Sequence, residues 1–474
     1  MTNDGNQEHE AIAPGDQGTL PARDVASGGT GAHAALRRYT WWNFWIISLD
    51  AGSWTVGLAF VDAGAVLPVF ASTLTDSKLV IGLLASLPGM GWALLQLLGA
   101  ANVLHRPRKK RYLVCMAAAG RAPMLAMPAL LLLTPFHSKS LMLGVLIGCY
   151  AALFLSDGLL GAAWYDIIAK TIPSQLRGRF FATMSFLGAL GALGSGWVVK
   201  RVLASPGLRY PHQYGILFAC LCGGLLLSFT MLTLIREPAG PVSSDQGPRW
   251  RAALSQIPGI WRRNRPFRKL VAVAWLTSTA GLAWPFYALY GIKVLGLPVD
   301  AGAVFIWAGT LGNMASSPLW AWLNDRKGPR SVLVGTAAAR LAAPAAALAV
   351  PAIVFAHPAL AAPRVAQYLY GAVFLCSGAF AVGSMIGFSN YLLELASPQE
   401  RPLIVGLGYT LIAPGLVAPM LGGWVVSAWS YQGAFALTLG LGVIGLIASL
   451  GLQEPTRGGH PAPYVPPEVG RAAG

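Results

Sequence analysis

Six ionisable side chains interrupt long apolar runs: Asp50 and Asp62 in IISLDAGSWTVGLAFVDAGAV, Arg121 in VCMAAAGRAPML, Asp157 and Asp166 in LFLSDGLLGAAWYDII, and Arg340 in VGTAAARLAAP. A charge at mid-depth in hydrocarbon costs at least about 2.5–3.5 kcal/mol, so such residues pair with one another, meet a ligand or exchange a proton. Two chemistries follow from these residue types. One is a fixed ion pair; the other is a switch in which a buried carboxylate changes protonation as a neighbouring arginine or a ligand engages it. Arg121 and Arg340 lie about ten residues into their runs, roughly 15 Å deep, too far for the guanidinium to snorkel out.

The elements that hold these residues follow from composition. The chain has 474 residues, 55% hydrophobic and 11% charged, against about 25% charged in soluble proteins. Too few polar side chains exist to cover a water-exposed surface. Twelve mostly apolar segments, at 44–70, 79–103, 112–134, 140–165, 179–203, 213–235, 269–293, 299–323, 331–355, 366–393, 403–428 and 432–452, are each long enough to cross a core of about 30 Å as a helix. Their Gly, Ala and Pro content suits close helix packing in lipid. The pattern predicts an all-α membrane protein of twelve transmembrane helices. Residues 1–40 are polar and Gly-rich, without the apolar stretch of a cleaved signal, and are expected to form an unstructured cytoplasmic tail. All five cysteines fall in predicted spans, where a thiol packs as a small apolar filler.

The net charge of +16 first suggests nucleic acid, as does HRPRKKR at 105–111. Placement decides otherwise. With both termini in the cytoplasm, most Lys and Arg fall in the connections on that side, as the positive-inside rule requires. The charge therefore orients the chain and meets anionic lipid headgroups, with no nucleic-acid partner expected. The expected location is a cell inner membrane, with both termini cytoplasmic.

Residues 237–267 form the only long polar break and act as a cytoplasmic linker. It is either an irregular basic connector or a short membrane-surface helix on Trp250, Ile257, Ile260 and Trp261. It separates six spans at 41–236 from six at 268–453, with a cytoplasmic tail at 454–474. The halves repeat. RKKRYLVCMAAAGRAP aligns with KGPRSVLVGTAAARLA, setting Arg121 over Arg340, and WYDIIAKTIPSQLRGR aligns with FSNYLLELASPQERPL, setting Asp166 over Asn390 and Arg177 over Arg401. A duplicated six-helix unit is expected.

The loop Asn324-Asp325-Arg326-Lys327-Gly328-Pro329-Arg330 resembles the D-R-x-G-R-[RK] loop motif of the major facilitator superfamily, with Pro329 where an arginine is usual. Together with twelve spans, a central linker, repeated halves and the Arg177-Gly178-Arg179 loop, the resemblance covers residues 41–453. It implies two pseudo-symmetric six-helix bundles that rock around a midplane site. It also implies a cytoplasmic gate of Asp325, Arg326, Gly328 and Arg330, with Asp166, Arg177, Glu394 and Arg401 as partners. The first half departs from the pattern. Arg106 stands in the place of Asp325, so that loop has no carboxylate of its own.

The resemblance further implies that the first, fourth, seventh and tenth spans line the cavity, which puts Asp157 near the midplane. Proton coupling through Asp157 is one reading, with Asp50 and Asp62 as alternatives; a fixed pair with Arg121 is the other. Asp50 is a second candidate partner for Arg121. A duplicated arginine on the third and ninth spans braces helices more often than it binds an anion. Trp54, Trp92, Gln96, Trp164, Trp284, Tyr287, Tyr290, Asn313 and Asn390 could stack on or hydrogen-bond a small organic solute, whereas Trp41, Trp42 and Trp429 suit the interface belt. Pro419-Met420-Leu421-Gly422-Gly423 ends like the family's antiporter motif, but on the eleventh span; Gly188, Gly191, Gly194 and Gly196 hold its usual place without the proline. The resulting preference for efflux is slight.

No GxSxG, GxxxxGK[ST] or HExxH occurs, so no enzyme, bound cofactor or metal is expected. The expected activity is secondary transport of a small organic solute by a monomer, driven by a proton gradient. The alternative is a transporter-like sensor or assembly scaffold without transport.

Overall fold

The computed structural model describes residues 24–103, 106–133, 138–238, 258–357, 360, 362–395 and 401–455. Sixteen principal α-helices follow in order: α1 Asp24–Phe60, α2 Val66–Leu74, α3 Lys78–Val103, α4 Lys110–Arg121, α5 Ala126–Leu133, α6 Lys139–Thr171, α7 Ser174–Leu203, α8 His212–Leu234, α9 Arg265–Ser278, α10 Trp284–Lys293, α11 Ala301–Ala339, α12 Ala342–Ala356, α13 Pro363–Leu395, α14 Arg401–Ile412, α15 Ala418–Ala428 and α16 Tyr431–Leu450. Among the described residues α1 runs from Asp24, within the stretch expected as a tail; residues 1–23 of that stretch lie outside the described residues.

Among the described residues, ten stretches are long and apolar enough to cross a membrane. One of them, Ala301–Ala356, spans 56 residues, roughly 84 Å of helix and far more than one bilayer crossing takes. It folds back at Gly328, whose φ of 79° lies in the left-handed region that only glycine enters freely. That makes two passes of it. The α1–α2 pair supplies the remaining one, so the twelve-pass, two-bundle architecture holds.

Several passes are broken rather than continuous. The first halts between Phe60 and Val66, where the Asp62 carboxylate accepts the N–H groups of Gly64 and Ala65 at 2.9 and 2.8 Å. The third changes from α to 3-10 geometry just after Arg121, and the ninth breaks at Arg340 and Leu341. Both buried arginines thus sit at the C-terminal end of a half-helix. There the negative end of the helix dipole favours a cation.

The duplication is also visible in packing. A Cβ on Gly158 would collide with the Gly91 carbonyl, and a Cβ on Gly378 with the Gly309 carbonyl. These glycine crossings join α3 to α6 and α11 to α13 at corresponding places in the two halves. Small residues let the backbones approach where lipid supplies no hydrophobic drive for association.

Three buried clusters organise the molecule. The largest lies at the end away from the termini and draws on both halves, with Phe70, Tyr150 and Phe218 from one and Phe286, Phe305 and Phe435 from the other. At the termini end each half has its own cluster, one around Ile47, Leu113 and Phe180, the other around Phe267, Val271 and Tyr391. The halves are therefore fused at the far end and separately packed near the termini. Ile260 and Trp261 lie against the second of these cores, while Trp250 and Ile257 fall outside the described residues. Leu133, Leu226, Phe355 and Ile447 are exposed, as a lipid-facing surface requires, and so are Trp41, Trp42 and Trp429.

Candidate functional site: two adjoining cavities

Between the halves lies a cavity of 710 Å³. Trp54, Asp62, Ser86, Tyr150 and Phe154 wall it from the first half, and Trp284, Phe305, Asn313, Arg340 and Phe380 from the second. Its size and mostly apolar, aromatic walls with a few polar groups suit a small organic molecule. Arg340 donates to the Thr277 carbonyl and to Ser384 Oγ at 2.9 Å, and its guanidinium stands 4.8 Å from the Phe380 ring centre.

A second cavity of 210 Å³ lies within the first half, lined by Asp50, Trp54, Trp92, Arg121, Asp157, Trp164 and Tyr165. Trp54 and Thr55 belong to both walls, so the two chambers adjoin there. Arg121 Nη2 donates to Ser228 Oγ at 3.0 Å, and Ser228 Oγ donates to Asp50 Oδ1 at 2.5 Å. The direct Arg121–Asp50 separation is 4.0 Å, and Trp164 Nε1 donates to Asp50 Oδ2 at 3.0 Å. Asp50 is thus the carboxylate hydrogen-bonded into the arginine's network. Asp157 faces the same chamber and interacts electrostatically with Arg121, yet makes no hydrogen bond among the described residues. Asp62, the third carboxylate, is engaged by the backbone N–H groups at the helix break.

The loops at the termini end show how the first half manages without the acid its motif lacks. Asp166 binds Lys109 and Lys170 at 2.8 and 2.7 Å. Glu237, from the segment after α8, accepts the backbone N–H of Lys109 at 2.9 and 2.8 Å and that of Lys110 at 2.7 Å. It also pairs with Lys170 at 3.4 Å. A carboxylate on the free N–H groups of a helix start satisfies them and complements the dipole. Glu237→Ala is expected to lower stability by about 1–2 kcal/mol, read as a downward shift in thermal unfolding of the purified protein.

In the second half Asp325 is exposed and has no ion-pair partner among the described residues. Arg326 lies 5.4 Å from the Trp322 ring centre, while Arg330 donates to the carbonyls of Leu452 and Leu450 at 2.7 and 3.1 Å. Arg177 caps the end of α6 through the carbonyls of Ile172 and Ala169. Glu394 is half-buried near the end of α13; the side chain of Arg401 lies outside the described residues.

Of the expected cavity residues, Trp54, Trp284 and Asn313 line the central chamber, and Trp54, Trp92 and Trp164 the smaller one. Gln96 adjoins the smaller: a Cβ on the lining residue Gly161 would lie 3.2 Å from its Nε2. Three candidates are placed elsewhere. Tyr287 and Tyr290 are 2% and 4% exposed and pack with Tyr370 and Phe435, because α10 belongs to the fused far end. Asn390 donates to Asn324 Oδ1 at 3.0 Å near the loops. Sequence reasoning missed Ser228, Glu237, Ser384 and Glu454. A signal existed for two of them, since Arg236-Glu237-Pro238 and Gln453-Glu454-Pro455 end the two halves alike, and Glu454 stands against Gly328 as Glu237 stands against Lys109.

Known proteins agree with this architecture. The family model described as Major Facilitator Superfamily matches residues 44–412 and 310–470. An uncharacterised protein of Mycobacterium tuberculosis (strain ATCC 25618 / H37Rv) is 24% identical over 322 residues, 65% of this chain and 58% of that protein. The multidrug resistance protein MdtG of Dickeya zeae is 25% identical over 191 residues, 38% of this chain and 41% of its own. In both cases the match covers less than two thirds of the relative. A solved D-xylose-proton symporter superposes with a TM-score of 0.62 at 15% identity, covering 88% of this chain and 98% of its own. The nucleoside transporter NupG superposes at 0.58 and 15%, covering 87% and 98%. At such identities these two show the fold alone. Matched along most of its length by the family model, and folded as two six-pass bundles around a shared cavity, the chain belongs to the major facilitator superfamily of membrane transporters.

Proposed function

We propose that this protein is a secondary transporter that carries a small organic solute through the 710 Å³ cavity by alternating access. One observation carries the reading: both halves wall the cavity, share a core beyond it and keep separate cores on its other side. A site so placed is closed at one end, and separating the far ends while joining the near ones would re-open it to the other face. We place the protein in the inner membrane with both termini cytoplasmic, as its charge distribution favours. Efflux is the preferred direction.

Proton coupling is assigned to Asp157. Asp50 is held by Ser228 and Trp164 and Asp62 by backbone N–H groups, which leaves Asp157 as the carboxylate able to exchange a proton without breaking a hydrogen bond. Its chamber meets the solute cavity at Trp54, so occupancy of one is felt in the other.

The test is flux in proteoliposomes across a panel of radiolabelled organic solutes. Saturable flux that Asn313→Trp blocks supports transport through this cavity, whereas no saturable flux across the panel returns the protein to the scaffold reading. Asp157→Asn is expected to abolish accumulation driven by a pH gradient while solute exchange at equal pH persists. Gradient-driven accumulation unchanged in that variant would remove Asp157 from the mechanism.

A further inference from the structure

The repeat sets Arg121 and Arg340 at the same place in the two halves, but their surroundings differ in one respect. Arg121 interacts with two carboxylates, Asp50 and Asp157. Arg340 has no ion-pair partner and no carboxylate interaction among the described residues. The glycine crossing that sets Gly158 over Gly378 puts Ser377 at the place of Asp157, and Ser377 lines the central cavity. Ala381 lines the central cavity beside Arg340, one helical turn before Ser384, which the guanidinium touches. Only two of the five donors of the guanidinium are used by protein, at Thr277 and Ser384.

A guanidinium at depth in a membrane-spanning bundle without a counter-charge is unfavourable unless something supplies one. The helix end at Arg340 offsets part of this through its carbonyl dipoles, and Phe380 adds a ring face. Neither carries a formal charge. Arg340 opens onto the solute cavity, whose walls include Trp54, Phe154, Trp284, Phe305 and Phe374; the one carboxylate among its lining residues, Asp62, is held by the backbone N–H groups of Gly64 and Ala65.

We propose that the solute is an amphipathic organic anion, with its carboxylate or similar oxyanion paired to Arg340 and its apolar or aromatic body lodged among these rings. The inference rests on the central cavity being the transport site. Ala381 is then a specificity determinant: with no internal acid at Ser377 or Ala381 on this wall of the cavity, the solute can supply one.

The probes are three isosteres, 1-naphthoate, 1-naphthylmethylammonium and 1-naphthylmethanol, titrated into the full-length protein in lipid nanodiscs with intrinsic tryptophan fluorescence as the readout. Naphthoate is expected to bind at least about tenfold tighter than the other two, the usual gain from a charge-assisted hydrogen bond. Arg340→Gln should remove that preference. Because that variant also loses the braces to Thr277 and Ser384, the decisive one is Ala381→Asp, which keeps Arg340 and supplies it an internal acid. It should weaken naphthoate at least about tenfold and leave the alcohol within about twofold. Equal affinity for all three probes, or naphthoate binding unchanged by Ala381→Asp, overturns the anion inference and leaves the cavity a binding site. No saturable binding of any probe overturns it as well, and proteoliposome flux then judges the transport reading separately.

Discussion

Replacing Asp50 by alanine is expected to lower the unfolding free energy by about 3 kcal/mol, the lower end of the 3–5 kcal/mol typical when one member of a buried ion pair is removed. Asp50 is 4% exposed, and its two oxygens serve Ser228, Trp164 and, through the serine, Arg121. Without it the Trp164 N–H and the Ser228 hydroxyl lose their acceptor, and the guanidinium keeps only Asp157 as a counter-charge. Nε and Nη1 of Arg121 already have no hydrogen-bond partner, so little remains to absorb the loss. Asp50→Ala combined with Asp157→Ala should therefore cost more than either alone. Asp50→Ala combined with Arg121→Leu should recover part of the loss, because removing both charges leaves neither stranded. Equilibrium unfolding in detergent, followed by tryptophan fluorescence, separates these cases. A double variant no more stable than Asp50→Ala would show that the pair is not the unit of stability.

The second large effect concerns the seam that fuses the far ends of the halves. A Cβ on Gly82 of α3 would collide with the Pro419 carbonyl of α15, and one on Gly423 of α15 would collide with the Lys78 carbonyl of α3. Between them the Met420 N–H donates to Ser86 Oγ at 3.2 Å. The backbones meet with no room for side chains, as in other glycine-lined membrane interfaces. Gly82→Val or Gly423→Leu overpacks this seam by about 1–3 kcal/mol, which moves the balance between far-end-closed and far-end-open states by roughly 5- to 150-fold. The expected result is a longer distance between spin labels at Ser77 and Ser427, introduced as cysteines in a background freed of the native ones, together with loss of flux. Gly423→Ala should give a smaller shift in the same direction. An unchanged label distance in both bulky variants would mean that the halves do not part along this seam.

Much of the fold was legible in the sequence because crossing a bilayer is a local demand. Twenty apolar residues, a charged loop and a turn residue such as Gly328 are read from neighbouring positions alone, and the repeat of Arg121 by Arg340 needs only an alignment. The breaks beside both arginines had a sequence signal too: Pro123 comes two residues after Arg121 and Pro344 four after Arg340, and each removes a backbone donor from the helix ladder. Asp62 read as an intramembrane charge because its partners, the backbone N–H groups of Gly64 and Ala65, exist only once the helix has stopped. Tyr287 and Tyr290 read like Trp284, since periodicity places all three near one face of a helix. The short turn before Trp284 and the closure of the far end sent them into the core instead.

By itself the sequence determined the number of passes, the duplication and the set of ionisable groups within the spans, all of which are sums over short segments. Only the tertiary structure decided that Asp50 hydrogen-bonds into the network of Arg121, that Ser228 carries the contact, that Glu237 closes the loop whose own acid is missing, and that Arg340 faces the central cavity with no ion-pair partner among the described residues. Asp50 and Ser228 are 178 residues apart, and Lys109 and Glu237 are 128. Such pairs form through the rotation of each helix about its own axis and the register of its neighbours. Those are fixed by glycine crossings and side-chain packing, which no single segment contains.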